Sequence, residues 1–402
     1  MRILHLSTST IGGAGVVAFR IAEMQKLDGH EAQVLSLNNL ASNKVTVIKR
    51  SPIRKVIARA NTFVSLIDTR TKWGQLTPYS VSAKILPKIE EFKPDIIHIH
   101  NWFNLFDSKE LKGILREYPC VFHVHDARLM TGGCHYTLDC EAYLNNCIKC
   151  PATLTKRNAV SHSNQVYGNI FLNSPPYGLI FPSEWLYKNF DKSKVMKSAS
   201  MITRIVNPID MTAINNLEPQ NSEGIVCVIS DLNAKVKGFD LLLEAIDLLR
   251  NNGSRILVQV VGANPTKQQL ENASRLNVKL LGRLSNLETL KVIGNSNLLV
   301  VPSYSENSPT VILESQAMGT SVLATNIAGC LELVEDGKTG FTCEATANSI
   351  FEGIEMALNS TIRNEIVLNA KNLAKTRDAS INTNLYKAYW EVISHRKAME
   401  NK

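Results

Sequence analysis

"LLVVPSYSENSPTVILESQAMGTSVLAT", residues 298 to 325, reads as an apolar run, a polar loop, a helix and a second apolar run. Two short apolar runs flanking one helix predict parallel strands joined by a crossover. Ser308 suits a cap and Pro309 the first helical position, so the helix is expected to start there and run through Met318 toward Gly319. Glu306 then falls in the loop ahead of the helix and Glu314 in its second turn.

The same grammar extends upstream through "GIVCVIS" (224–230), the helix-like "GFDLLLEAIDLLRNNG" (238–253), "RILVQVVG" (255–262) and "VKLLG" (278–282). It also governs the first half: "MRILHLST" (1–8), a glycine-rich turn, the helix-like "VVAFRIAEMQKLDGH" (16–30), "EAQVLSL" (31–37), "PDIIHIHN" (94–101), "CVFHVHD" (120–126) and "YGLIFPS" (177–183). Strands alternating with helices predict an α/β protein with parallel sheets covered on both faces. A chain of 402 residues exceeds one ordinary core, and the pattern restarts after "VNPID" (206–210). We therefore expect doubly wound, Rossmann-like domains at 1–205 and 209–378. A last helix at 379–402 has aromatics on one side, and the first domain is one candidate partner for it.

Apolar residues make up 44% and charged residues 20%, which predicts a folded chain. No stretch has 18 unbroken apolar residues, and "MRILHLSTST" lacks the pattern of a secretory signal, so the expected place is the cytoplasm, with the inner face of the membrane as a point of contact. The net charge of +8 is concentrated. Between Lys44 and Lys88 lie Lys44, Lys49, Arg50, Arg54, Lys55, Arg59, Arg70, Lys72, Lys84 and Lys88 against the single acid Asp68. Within this segment "SPIRKVIARANTFVSLI" (51–67) sets Arg54, Lys55 and Arg59 beside Val56, Ile57, Phe63 and Val64. That is the composition of a surface helix that touches anionic membrane or a lipid diphosphate, or of a solvated basic face.

The opening stretch also carries chemistry. A helix start offers unpaired N–H groups and partial positive charge to a phosphate. An ionised carboxylate accepts hydrogen bonds from paired hydroxyls such as those of a ribose or hexose. Glu306, a phosphate at the helix start and Glu314 together describe a nucleotide-sugar site. The plain alternative is two glutamates near a helix start, each worth about 0.3–1 kcal/mol.

Gly13, Gly15 and Ala18 fit G-x-G-x-x-A of a dinucleotide-binding turn, but "VLSLNN" (34–39) lacks the acid that would hold the ribose. A glycine loop under a sugar-bearing ligand fits better. His98, His100 and His123 alternate along strands as core residues do and are assigned no catalytic role. Cys134, Cys140, Cys147 and Cys150 end in a C-x-x-C of chelating spacing. In a reducing compartment they are read as a structural zinc site or as unligated thiols; four thiolates would leave a zinc no open position for catalysis.

"LLVVPSYSENSPTVILESQAMGTSVLATNIAGCLELVEDGKTGF" (298–341) resembles the donor-site signature of the retaining family 4 glycosyltransferases of GT-B fold. Weaker matches lie at the glycine-rich start, "HVHD" (123–126) and "KVKGFDLLLEAI" (235–246). The resemblance implies two Rossmann-like domains facing across a cleft, acceptor mainly on the first and donor on the second. It implies that Glu306 contacts the transferred sugar and Glu314 the nucleotide ribose. Lys237 would bind the donor diphosphate, together with the helix start at Ser308, Pro309 and Thr310. His125 and Asp126 match a His-Asp pair whose histidine meets the donor sugar. Where the family has an arginine after the strand "IVCVIS", this chain has Asp231, and Lys235 stands as the substitute.

The reaction implied is transfer of a sugar from a nucleoside diphosphate to a hydroxyl with retention, without a catalytic metal or other cofactor. Its implied setting is cell-surface polysaccharide synthesis on a saccharide or lipid-linked acceptor, with residues 44–88 at the membrane. A sugar-nucleotide epimerase of the same fold is one alternative. A retaining glycosidase would share the paired carboxylates but needs no diphosphate lysine. A zinc-containing nucleic-acid-binding protein is of another class; aromatics at only 6% and positive charge outside the cysteine cluster oppose a nucleic-acid partner.

Overall fold

The computed structural model describes every residue except 11, 39–44, 69–75, 79, 139, 156, 219–222 and 402. Of the basic segment, Lys44, Arg70 and Lys72 therefore lie outside the described residues. The chain forms two compact units, Met1–Pro208 with Ser380–Lys402, and Ile209–Ala379.

The first unit is built on seven strands: β1 (Arg2–Ser7), β2 (Glu31–Ser36), β3 (Val45–Val47), β4 (Ile96–Asn101), β5 (Cys120–His123), β6 (Tyr177–Phe181) and β7 (Met201–Arg204). They pair in parallel in the order β3-β2-β1-β4-β5-β6-β7. The second unit carries β8 (Ile225–Asp231), β9 (Val258–Ala263), β10 (Val278–Gly282), β11 (Leu298–Val301), β12 (Ser321–Thr325) and β13 (Phe341–Cys343). Its order is β10-β9-β8-β11-β12-β13, again all parallel.

Central strands are mainly apolar, the histidines of β1, β4 and β5 apart, because helices cover both faces of such a sheet. All four residues of β11 and all five of β6 are buried, each large apolar side chain contributing about 1.5–3 kcal/mol. The strand order reverses between β1 and β4 in one sheet and between β8 and β11 in the other, which opens a crevice at the carboxyl end of each.

The terminal helix Ile381–Glu400 belongs to the first unit. Ile381, Leu385, Tyr389 and Val392 recur at helical spacing and are buried in one cluster with Ile3, Val121, Ile180 and Met201. Its Arg396 guanidinium donates to the carbonyl of Leu115 at 2.8 Å.

Candidate functional site

In the second unit the loops after β8 and β11, the two strands flanking the reversal, meet. The first ends in a short 3-10 turn, Lys235–Lys237, followed by the helix Phe239–Asn251. Gly238 between them has φ +70, and a Cβ there would overlap the carbonyl of Pro302, so only glycine lets the two loops approach. The Tyr304 N–H closes the contact by donating to the Val236 carbonyl at 2.8 Å.

This places Lys237 Nζ 2.8 Å from Glu306 Oε1, with side chains 21% and 12% exposed. Ser303 Oγ donates to the same carboxylate oxygen at 3.0 Å. The carboxylate is thus fixed by an ammonium and a hydroxyl before any ligand is present. On its far side the Gly329 N–H donates to the Glu306 carbonyl at 3.2 Å, and a Cβ at Gly329 would overlap Asn307.

The helix after Glu306 starts one residue later than the sequence predicts. Thr310–Met318 is helical, and Pro309, not Ser308, is the cap residue, with ψ 109. The loop held against Gly329 is still extended at Pro309, which displaces the start. Gly319, at φ 81, ends the helix in a left-handed turn. Glu314 lies in the second turn and is 6% exposed.

Lys235 is placed differently from Lys237. It is exposed and lines a groove of about 590 Å³ with Asn233, Asp240, Glu244, Gln269 and Tyr304; neither Lys237 nor Glu306 lines that groove. Asp231 is at the end of β8 and accepts from the Asn233 N–H at 3.2 Å. Gly238 and Tyr304, where the two loops meet, also line that groove, so it opens beside the junction that carries the Lys237–Glu306 pair.

In the first unit the helix Gly13–Leu27 follows β1. A Cβ at Gly15 would overlap the Ser9 carbonyl, whereas one at Gly13 would meet open space. Gly15 therefore serves the packing of its own loop. Asp126 spends its carboxylate on Arg128, whose Nε lies 2.9 Å from Oδ2, and caps the short turn Ala127–Leu129. Burial alone would raise this carboxyl, but Arg128 and then His135 bring it down to about 2.

Beside Asp126, His125 is the outermost of five histidines gathered on one face of β1, β4 and β5. His5, His98, His100 and His123 are between 0% and 5% exposed. Ring nitrogens of His5, His98 and His100, and again of His100, His123 and His125, lie within 4.8 Å of one another. Burial depresses every one of these imidazoles, His5 and His125 to about 4 and the other three well below the ordinary value. They are neutral at pH 7.

The four cysteines share one small apolar cluster with Leu76, Ala152 and Val160, and all are free thiols. Burial, then Cys150, Cys147 and Cys140, push the Cys134 thiol up. Among the described residues, the groups of three whose ligand atoms lie within 4.8 Å are both histidine groups. Gathered in this cluster, the four thiols are the groups that would hold a structural zinc, which would brace the loop and take no part in catalysis.

Compared with known proteins, residues 212–373 match the model of glycosyl transferases group 1, and residues 11–145 match that of glycosyltransferase family 4. The chain belongs to glycosyltransferase family 4.

Two bacterial relatives are similar over part of their length. The capsular polysaccharide biosynthesis glycosyltransferase CapM of Staphylococcus aureus is 27% identical over 154 residues, 36% of this chain and 40% of that protein. The N,N'-diacetylbacillosaminyl-diphospho-undecaprenol alpha-1,3-N-acetylgalactosaminyltransferase of Campylobacter jejuni is 27% identical over 162 residues, 40% of this chain and 43% of that protein. The match thus spans under half the length of either. Anabaena HepE, solved in complex with UDP and glucose, superposes with a TM-score of 0.65 at 20% identity, covering 96% of this chain and 98% of its own. At that identity the likeness concerns the GT-B fold.

For this family 4 member, sequence reasoning named Lys237, Glu306 and Glu314 but missed Ser303 and Gly329, which hold the Glu306 loop. It set aside three histidines singly and overlooked His5. The available signal was H-x-H on two neighbouring strands, "HIH" (98–100) and "HVH" (123–125), which puts four rings on one sheet face.

Proposed function

We propose that this glycosyltransferase moves a sugar from a nucleoside diphosphate to a hydroxyl acceptor, with retention at the anomeric carbon. The observation that carries the reading is the Lys237–Glu306 pair, 2.8 Å apart, immediately before the helix that bears the buried Glu314. In this reading Lys237 and the first N–H groups of the helix at Thr310 stabilise charge on the leaving diphosphate. Glu306, held by Ser303, accepts from hydroxyls of the transferred sugar. Glu314 accepts from the ribose diol. In the first unit, His125 meets the donor sugar. Retention then comes from attack on the face the leaving phosphate occupies, so no second protein carboxylate is needed. HepE, which binds UDP and glucose, supports the choice of donor class.

Thermal unfolding with UDP, GDP, ADP and their sugar conjugates tests the donor site. One nucleotide series is expected to stabilise the protein by about 2.7 kcal/mol at a hundredfold excess over Kd, and Glu314→Ala to abolish most of that gain. No stabilisation by any nucleotide would overturn the reading.

The acceptor is proposed to be lipid-linked, as the name of the Campylobacter relative says of that enzyme. The helix Pro52–Asp68 supports this, since Ile53, Val56, Ala60, Phe63 and Val64 share one exposed face and Lys55 and Arg59 flank it. Ile53, Val56 and Phe63 are 73%, 65% and 64% exposed. No helix of the described residues is long and apolar enough to cross a membrane. Flotation with vesicles rich in anionic lipid is expected to carry the protein and to lose it with the pair Val56→Ser and Phe63→Ser; equal flotation of that variant would reject the contact.

A further inference from the structure

The four buried imidazoles and the partly exposed His125 are not simply packed side by side; three of the five are wired in series. His125 Nε2 is 3.1 Å from His100 Nδ1, and His100 Nε2 is 3.1 Å from His5 Nδ1. His5 Nε2 is 2.8 Å from Gln25 Oε1 on the helix Gly13–Leu27. The Gln25 amide nitrogen donates to Tyr389 Oη at 3.0 Å, and that hydroxyl lies 2.6 Å from His98 Nδ1. Tyr389 comes from the terminal helix and is fully buried.

Buried and neutral, each ring owns one N–H and one lone pair, so each link dictates the next. The Gln25 carbonyl oxygen can only accept, so His5 carries its proton on Nε2 and turns a lone pair at Nδ1 to His100. His100 must then carry its proton on Nε2 and accept at Nδ1. His125 must supply that bond from Nε2–H, which leaves Nδ1, the nitrogen outside the wire, as a lone pair. Turning the Gln25 amide over would require the opposite proton order in all three rings. With the amide in this orientation the Tyr389 oxygen accepts from the Gln25 nitrogen, which leaves its hydrogen for a lone pair on His98 Nδ1, so a turn of the amide would have to reverse the Tyr389–His98 bond as well.

We propose that Gln25 and Tyr389 are positioning residues that set the tautomer of His125 through His5 and His100, and so fix whether His125 offers the donor sugar an acceptor or a donor. The proposal rests on the reading that His125 meets the donor. By it, His125 takes a hydrogen from a sugar hydroxyl at Nδ1, and a helix remote from the reaction controls that preference. The burial that keeps all three rings neutral also makes a half-reversed wire costly, because two N–H groups or two lone pairs would then face each other out of reach of water.

The test is nitrogen NMR on the full chain with labelled histidine, between pH 6.5 and 8, with His125 assigned by its loss in His125→Asn. In the unmodified protein His125 is expected as one neutral form protonated at Nε2. Gln25→Met, close in volume and without a hydrogen bond, is expected to give a mixture of both tautomers. Its kcat for sugar transfer should fall about fivefold while KM for the donor stays within about twofold, the split expected when orientation and not binding is lost. Tyr389→Phe keeps the ring and should shift the tautomer in the same direction, which covers the case in which Gln25→Met fails to fold.

An unchanged Nε2–H form in both folded variants overturns the proposal, as does an Nδ1–H form in the unmodified protein. Stoichiometric transition metal in the purified protein, lost in His98→Phe, would also overturn it, because metal and not protons would then join these rings. If the tautomer shifts as expected but added nucleotide sugars leave the His125 signals unmoved, the wire stands and the role of His125 at the donor fails.

Discussion

Lys237→Ala is expected to lower sugar transfer by about 10²–10³-fold while the second unit stays folded. The ammonium pairs with Glu306 at 2.8 Å, and its loss would remove the charge facing the leaving diphosphate and one of the two side-chain holds on that carboxylate, the other being Ser303. Glu306→Ala should cost a similar factor by the complementary route, removing the carboxylate that meets the sugar and the ion pair it makes with Lys237. Because the two act as one device, the double variant should be little worse than the poorer single one. The stability cost is smaller than the kinetic one: each side chain retains some exposure, so water can replace part of the lost partner. Initial rates with the nucleotide sugar identified by thermal shift, alongside circular dichroism of each variant, provide the check. Near-normal turnover in both single variants would remove this pair from the chemistry.

The second large effect is on stability in acid, and it falls on one unit alone. All nine histidines lie in the first unit, and the second, Ile209–Ala379, has none. Burial holds five of the nine neutral, His5 and His125 down to about 4 and His98, His100 and His123 well below the ordinary value, whereas an unfolded histidine protonates near 6.5. Between these values the unfolded chain binds more protons than the folded one. Stability contributed by the cluster is therefore complete above pH 6.5 and is lost as the pH falls toward 4. Each ring costs about 1.4 kcal/mol by pH 5.5, and five together about 7 kcal/mol, a large part of a typical domain's stability.

Tryptophan fluorescence follows this directly, since the sequence of the second unit, 209–379, contains no tryptophan. Urea midpoints read by tryptophan should drop steeply between pH 6.5 and 5. Calorimetry should show the other transition moving little over the same range. A tryptophan midpoint flat down to pH 5 would mean that the rings are protonated in the fold and the cluster is misread.

The architecture was legible because parallel, doubly covered sheets write themselves as repeated apolar runs between helical patterns. The runs that were read correspond to central strands such as β4, β5, β8 and β11. The strands that were not singled out are β3, β7 and β13, of three, four and three residues, each at a sheet edge. An edge strand is covered on fewer sides and needs less apolar sequence, so little periodicity marks it.

The candidate site was legible where one short segment contained it. Glu306 and Glu314 sit on a single strand–loop–helix unit, and Lys237 is marked by the glycine that follows it. Partners distant in sequence left no local trace: Gly329 against Asn307, Gln25 against His5 and Tyr389 against His98 are visible only once the chain is folded. The one-residue displacement of the helix start has the same origin, since capping preference at Ser308 is a local property and the hold of Gly329 on the loop is not.

The terminal helix gives the molecule an order of assembly. A ribosome completes residues 209 to 379, an entire second unit, before it makes the helix that fills the first unit's remaining face. Until then Ile3, Val121, Ile180 and Met201 lack the side chains they pack against, and His98 lacks the hydroxyl of Tyr389. The half of the protein that is synthesised first is thus the half that finishes folding last. During that interval one apolar face of the first unit stays uncovered.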